Sequence, residues 1–393
     1  MMVQTPKIPK ITKNYHINNN GICVTLKPIY FRTHLEINHQ YRGKTLVKTI
    51  AWAQYLETKV NQQSYAISMA QCRDALAGQR EMIGHLVNVL GSRSIVCLGA
   101  GFLNDLPVSM LFSPETRVTL VDWIDGISQE GLANQIIHKL NDQYHCLFCD
   151  KNIGKLYCKS FTNELLSEGV CTAFMPVDEP NLTCQSYQSN IEPKFLRCDI
   201  TAGYGHQFAE TIQKKMRNCK TPKEAFITAI RLCNRLESKI KPIPLDDDSI
   251  DLVTSSMVLS QFDNEPYSFF ALLLEQHFGR AQVLAHEDIL RPLMEQLRTK
   301  LFLEQVRRHL REIYRMVRKD GPGRVYLSVE LFRSSALDGL YFLVQDIPKA
   351  MDVINEYFLF DLEKIPEKKI FNSVEIDCET SIIQNYVLVP RVH

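Results

Sequence analysis

The sequence predicts an α/β protein built on a doubly wound, mostly parallel sheet with helices on both faces. Three observations predict it. Short apolar runs recur at Ser94–Leu98, Arg117–Asp122, Lys194–Ile200, Ser249–Ser256 and Arg324–Phe332. Stretches with apolar residues three and four apart separate these runs. The first run leads directly into Gly-Ala-Gly at residues 99–101. Alternating strands and helices imply parallel strands covered on both sides. Ligands of such sheets sit at the carboxyl ends of the strands.

Each element has its own signal. Residues 1–40 are mixed and polar. Beyond Gly43, Leu46, Val47, Ile50, Ala53, Leu56 and Val60 mark one helical face. A second helix runs roughly from Ser64 to Leu90, with Ile83, Leu86, Val87 and Leu90 inward, and Gly91-Ser92 ends it. Ser94–Leu98 is the first strand, and a helix follows its loop around Leu106–Phe112. The second strand, "RVTLVD", precedes a helix carrying Leu132, Ile136 and Leu140. A cysteine-rich insert covers about 145–193. The third strand, "KFLRCDI", is followed by helical segments at about 205–218 and 222–239. The fourth strand, "SIDLVTSS", precedes a long helical region, 266–319. There Leu297, Leu301, Val306, Leu310, Ile313, Tyr314 and Val317 form one stripe. The fifth strand is "RVYLSVELF", and late strands fall near 369–377 and at Ile382–Pro390.

The 393 residues leave room for one large domain with additions, or for two or three modules. With 45 basic and 44 acidic side chains the formal charge is +1, which argues against bulk electrostatic grip on nucleic acid. The start, "MMVQTPKIPKITKNYHINNNG", lacks the apolar core of roughly 7–15 residues that a signal peptide needs. No run of about 18 apolar residues occurs, so no membrane span is expected. The 12 scattered cysteines suit free thiols in a reducing compartment. A soluble, cytoplasmic protein is the expectation.

The glycine loop carries the chemistry. Glycine lets a ligand approach the backbone and allows positive φ. Asp122 ends the second strand 23 residues beyond Gly99, near the roughly 20-residue offset of a ribose-binding acid. Trp123 can pack on an adenine face. Asp199, ending the third strand, can accept from an adenine amino group. Gly99, Gly101, Asp122 and Asp199 together describe a site for an adenosine-containing ligand. The third glycine of a dinucleotide loop is absent: Leu103 and Asn104 stand there. That weakens a pyrophosphate reading, because the third glycine brings the helix N-terminus close.

Four stretches, in order, carry a resemblance. "IVCLGAG", "VTLVDWID", "FLRCDI" and "IPLDDDSIDLVTSSMVLSQF" are similar to the successive motifs of the Rossmann-like (class I) S-adenosylmethionine-dependent methyltransferases, and "EIYRMVRKDGPGRVYLS" to the segment that follows. The resemblance covers about 91–393. It implies a Rossmann-like sheet closed by an antiparallel C-terminal strand, for which "IIQNYVLVPR" serves. It implies S-adenosylmethionine held by Gly99, Ala100, Gly101, Phe102, Asp105, Asp122, Trp123, Asp199, Ile200, Ser255 and Met257. The chain departs from the pattern in three places. Cys97 stands where an acid is common, Leu103 replaces the third glycine, and Ser260 and Gln261 stand where many relatives have histidine. The methionine end of the cofactor is then held differently. Asn104 or Asp105 either contacts its ammonium or caps the next helix.

The expected organisation is an N-terminal helical lid over 1–90 and a methyltransferase core over 91–393, with insertions at about 145–193 and 266–309. The expected function is in-line methyl transfer to an unidentified acceptor, a small molecule or a protein. Two alternatives stay open: a nicotinamide-dependent oxidoreductase and a catalytically silent Rossmann-like binding protein. Cys146 and Cys149 have C-x-x-C spacing. With Cys158 and Cys171 they are a candidate zinc set, and Cys184 and His145 are further ligand candidates; free thiols or a redox pair are the other readings. The basic run Arg307, Arg308, Arg311, Arg315, Arg318 and Lys319 is interleaved with Glu304 and Glu312 and reads as a solvated helix face.

Overall fold

A computed structural model describes residues 51–56, 76–101, 103–107, 110, 116–123, 193–236, 241–335, 340–343, 347–366, 369–376 and 379–392, and four short strands besides. Contacts divide the chain into two units, Met1–Leu46 and Val47–His393. In the first, β1 (His16–Asn18) pairs antiparallel with β2 (Gly21–Cys23), Ile17 opposite Ile22.

The second unit begins with helical residues 52–56. It continues with α1 (Ala77–Leu90), β3 (Ser94–Leu98), β4 (Arg117–Asp122), the hairpin β5 (Phe174–Pro176) and β6 (Leu182–Cys184), and β7 (Lys194–Arg197). Then come α2 (Tyr204–Met216), α3 (Pro222–Cys233), β8 (Leu252–Ser256), α4 (Asn264–Phe278), α5 (Arg280–Ala285) and α6 (Glu287–Met316). The chain closes with β9 (Arg324–Ser335), β10 (Leu340–Leu343), α7 (Ile347–Tyr357), β11 (Phe358–Phe360), β12 (Phe371–Ile376) and β13 (Glu379–Pro390).

One mixed sheet organises this unit, in the order β11-β13-β9-β8-β3-β4-β7. The five strands from β9 to β7 are parallel, and β13 runs antiparallel beside β9. Side chains alternate between the two faces. On one face Met82, Ile83 and Leu86 of α1 meet Ile95, Cys97, Leu252 and Tyr326. On the other, Phe302, Val306, Leu310 and Ile313 of α6, with Val353 and Ile354 of α7, meet Val96, Leu98, Val253, Val325 and Leu327. Each such side chain, fully buried, contributes roughly 1.5–3 kcal/mol.

β9 and β13 outrun the parallel strands. β9 pairs with β8 only as far as Ser328 opposite Ser256, then continues to Ser335. β10 joins its far end, and β12 joins the matching part of β13. A four-stranded antiparallel extension therefore stands beyond the carboxyl end of β8. A bulge between Ile382 and Ile383 skips Leu331, placing Phe332 and Glu330 opposite them. Bulges of this kind re-aim side chains.

Strands 1, 2, 4 and 5 of the sequence reading fall within a few residues of β3, β4, β8 and β9. The third strand stops at Arg197, because Asp199 and Thr201 form a turn. The helical region 266–319 is three helices, broken at Gly279 (φ 83°) and His286. Its later part belongs to the core: Phe302 and Val306 are fully buried against the sheet. Helix α1, grouped with the lid by sequence, likewise packs on the sheet. β10 and β11 lie outside the sequence expectations, and so does α7, although Ile347, Ala350, Val353 and Ile354 mark one helical face there. The helices expected near 106–112 and 132–140 fall largely or wholly outside the described residues, as does most of the insert. Among the described residues no helix is long and apolar enough to cross a membrane.

Candidate functional site

The chain leaves β3 for β4 and β7 on one side of the sheet, then returns to β8 and β9 on the other. In open α/β sheets the strand-end loops diverge at such a reversal, and ligands bind in the crevice at the carboxyl edge. The sequence-predicted residues collect around it.

The glycine loop is fixed by its neighbours. The Gly99 and Ala100 N–H groups both donate to the Val121 carbonyl, at 2.9 and 3.1 Å. Gly99 has φ 67°, and a Cβ there would lie 2.6 Å from Val258 Cγ2. Gly101 has φ 48°, and its N–H donates to Asp122 Oδ2 at 2.9 Å. Asp122 thus holds the loop as well as ending β4. Leu103 also takes a left-handed φ, 59°, unusual for a non-glycine residue. Its side chain is fully buried with Ala100, Leu106 and Met110, which anchors the loop in the core.

The β4 and β7 ends join this loop. The Cys198 N–H donates to the Asp122 carbonyl at 2.9 Å. Asp199 Oδ1 accepts from the Thr201 N–H (2.8 Å) and hydroxyl (2.6 Å), turning the chain into α2. The half-buried Trp123 ring lies 5.2 Å from the His206 ring, with the Arg197 guanidinium 5.7 Å from its centroid. Ile200 packs beside Gly99, its Cδ1 3.5 Å from where a Cβ would stand.

Adjacent serines of β8 face opposite layers. Ser255 is buried and lies 2.8 Å from His309 Nε2, while His309 Nδ1 lies 2.9 Å from the Ile200 carbonyl. A carbonyl only accepts, so Nδ1 carries the proton. Burial pushes His309 down to about 4, so the ring is neutral and Ser255 donates to Nε2. Ser256 faces the α1 layer. There it meets Ser328 Oγ (3.0 Å), which also accepts the Met257 N–H at 3.0 Å. Met257 has φ 55°.

Asp105 is the carboxyl that Ser256 meets in that layer. Burial pushes its carboxyl up to about 6, against the Ser256 hydrogen bond and the Arg80 charge. Arg80 is held by the Asn104 carbonyl. Burial pushes the Cys97 thiol up to about 12, despite a hydrogen bond with Thr254, and the Asp105 charge adds to the rise. The Tyr326 hydroxyl donates to Asn385 Oδ1 at 2.8 Å.

The structure therefore brings Gly99, Ala100, Gly101, Asp105, Asp122, Trp123, Asp199, Ile200, Ser255 and Met257 to the carboxyl edge of β3, β4, β7 and β8, but the Ser255 side chain is fully buried and committed to His309. Phe102 and the candidate zinc ligands Cys146, Cys149, Cys158 and Cys171 lie outside the described residues. Among the described residues no three His, Cys, Asp or Glu side chains gather as a metal site. Cys97, Cys198, Cys219 and Cys233 are free thiols. Sequence reading missed His309, Ser256 and Ser328. His309 had one signal: it interrupts an apolar helical stripe four residues before Ile313. No protein-family model matches the chain, and no curated protein matches it.

Proposed function

We propose that this chain is an S-adenosylmethionine-dependent methyltransferase with a Rossmann-like core. One observation carries the reading. The glycine loop and the acid ending the neighbouring strand are joined, Gly101 N–H to Asp122, at the point where the strand order reverses. Counted along the chain, the parallel strands stand in the order third, second, first, fourth, fifth, as in the first five strands of a doubly wound dinucleotide fold. The antiparallel β13 beside β9 matches the closing strand that the resemblance implies.

The residues present fit the cofactor. Asp122 offers its carboxylate to ribose hydroxyls from the rim of the loop. Asp105 sits beneath the loop, near Cys97, and supplies the carboxyl that Cys97 lacks for the methionine ammonium. Leu103 stands where a dinucleotide loop has its third glycine, which favours a phosphate-free adenosyl ligand over a nicotinamide dinucleotide. S-adenosylmethionine supplies a methyl group on a sulfonium, so the leaving group is already activated. The protein's own task is to align, enclose and keep water out. The extension built on β9 and β13 stands beyond the carboxyl end of β8, where an acceptor would approach. Residues 52–56 pack on the helix after β8: Trp52 and Tyr55 meet Phe269, and the Tyr55 hydroxyl donates to Glu265 at 2.8 Å.

Calorimetric titration tests the reading. Asp122→Ala removes a charge-assisted acceptor worth on the order of 1.5–3 kcal/mol, so affinity for S-adenosylmethionine falls roughly 10- to 150-fold. S-adenosylhomocysteine, which shares the ribose, loses as much. Asp122→Asn is milder, because an amide oxygen still accepts from Gly101. Unchanged affinity in a folded Asp122→Ala protein removes the ribose assignment. A wild-type protein that binds a nicotinamide dinucleotide and neither adenosyl ligand overturns the methyltransferase reading.

A further inference from the structure

Outside the crevice, α2, α3 and the turn after α3 border an open notch of about 210 Å³ lined by Lys215, Thr228, Arg231, Leu232 and Arg235. We propose that this notch binds the phosphate group of a small anionic ligand. The site stands apart from the methyltransferase reading.

The case rests on how other cations of the molecule are used. Arg315 of α6 is bonded to Glu312 and Asp247, and Arg308 lies over the Tyr204 ring and donates to the Leu236 carbonyl. Just past the helix, Arg318 pairs with Asp251 and Lys319 with Asp248. The basic run that the sequence marks as a solvated face is therefore largely engaged. Lys215, Arg231 and Arg235 differ. Among the described residues their side chains make no hydrogen bond and no ion pair, and no acidic side chain lines the notch. Three like charges converging on one concavity repel one another until an anion is present.

The lining selects the anion. Arginine forks match phosphate and carboxylate geometry, and lysine adds a point charge. A carboxylate offsets one of the three charges, whereas a phosphate with a charge of about −1.5 to −2 offsets nearly two. Thr228 adds a neutral hydroxyl to the lining, 3.8 Å from the Cys219 sulfur. Among the described residues no aromatic ring lines the notch, so they give no platform for stacking a base. Its volume is below the roughly 300 Å³ at which pockets for drug-sized ligands begin, which suits a compact group.

Titration of the full-length chain with inorganic phosphate and with pyrophosphate, at low salt, tests this. One site is expected, weakening as salt rises. Arg231→Ala and Arg235→Ala each weaken it about tenfold or more, since each removes a charge-assisted contact. Both positions are exposed, and unchanged thermal melts show that the variants fold. Asp122→Ala leaves phosphate binding intact while impairing the crevice, so failure of one reading is distinguishable from failure of the other. Absence of phosphate and pyrophosphate binding overturns the proposal. So does binding that neither arginine variant weakens. Binding of a short single-stranded oligonucleotide without binding of either anion moves the site to a nucleic-acid backbone and overturns it as well.

Discussion

Ser255 and Ser256 are neighbours at the end of β8, yet the layers they face are built differently. Ser255 points to the α6 layer and meets a fully buried histidine whose two ring nitrogens are both satisfied. That histidine ties α6 to the carboxyl ends of β8 and β7. Ser256 points to the α1 layer and meets a half-buried carboxyl, Asp105, with Arg80 and Cys97 nearby. One layer locks the strand ends together. The other holds a group that burial alone keeps from ionising at its ordinary pH. The contrast separates scaffold from site within one dipeptide, and each side of it can be broken.

The largest effect is expected at His309. His309→Ala leaves the Ser255 hydroxyl and the Ile200 carbonyl unpaired in the interior and opens a cavity, costing about 2–4 kcal/mol. Urea unfolding measures it. Asp105→Asn, by contrast, removes a half-buried charge and leaves stability at pH 7 unchanged or raised by up to about 2 kcal/mol. A larger loss for Asp105→Asn than for His309→Ala reverses the assignment of the two layers.

The two groups also titrate against each other. Burial holds the Asp105 carboxyl up to about 6, so folding favours its protonated form. Its stability contribution is full below the ordinary aspartate range and is lost as pH rises from about 4 through 6. Burial holds His309 down to about 4, so folding favours its neutral form. Its contribution is full above about 6.5 and is lost as pH falls from there through 4. Each amounts to about 2–3 kcal/mol, discounted for the partial exposure of Asp105. Wild-type stability therefore changes little across this window. Asp105→Asn should lose stability steeply on acidification, and His309→Gln should gain it. Denaturation midpoints at pH 4.5 and 7 decide; parallel curves for both variants remove the coupling.

Gly99 probes the loop where the two layers meet. Gly99→Ala places a Cβ against Val258 and forces a left-handed φ, at a cost of about 2 kcal/mol. Val258→Ala in the same chain relieves the contact and leaves about 1 kcal/mol of backbone strain. Chemical denaturation of both variants and the double variant isolates the two parts. A double variant no better than Gly99→Ala assigns the whole cost to φ.

The sequence displayed the loop better than it displayed what holds the loop. β3, β4, β8 and β9 were legible because an apolar run between polar turns buries both faces. Gly99, Gly101 and Asp122 were legible because their spacing is local to one strand–turn–strand path. The extension was not. β10 and β11 are short, and β9 and β13 owe their extra length to pairing with each other, a contact between residues some 50 apart; α7, by contrast, was legible in the spacing of Ile347, Ala350, Val353 and Ile354. His309 is 109 residues from the carbonyl it binds. Ser328 is likewise remote from Met257. No local period encodes a hydrogen bond across the sheet. The Asp122 role was half legible: its place at a strand end reads as ligand-facing, but its bond to Gly101 depends on how the loop folds back.

The smallest effect, and the sharpest test of the contrast, comes from the serines themselves. Ser256→Ala removes the donor that supports the ionised Asp105 and leaves Ser328 short of one partner. A net hydrogen bond contributes about 1 kcal/mol, and the half-buried setting lets water replace part of it. The cost should therefore stay near or below 1 kcal/mol. The informative readout is the Asp105 titration, followed by carboxyl carbon NMR. Without the hydroxyl, burial acts unopposed by that bond, and the midpoint moves further above the ordinary aspartate range. Ser255→Ala removes a donor from a dry site and leaves His309 Nε2 unpaired. It should cost more, about 1–3 kcal/mol, and should leave the Asp105 midpoint where it is. If Ser255→Ala shifts Asp105 as far as Ser256→Ala does, the two layers communicate through β8, and the division into a scaffold face and a site face fails.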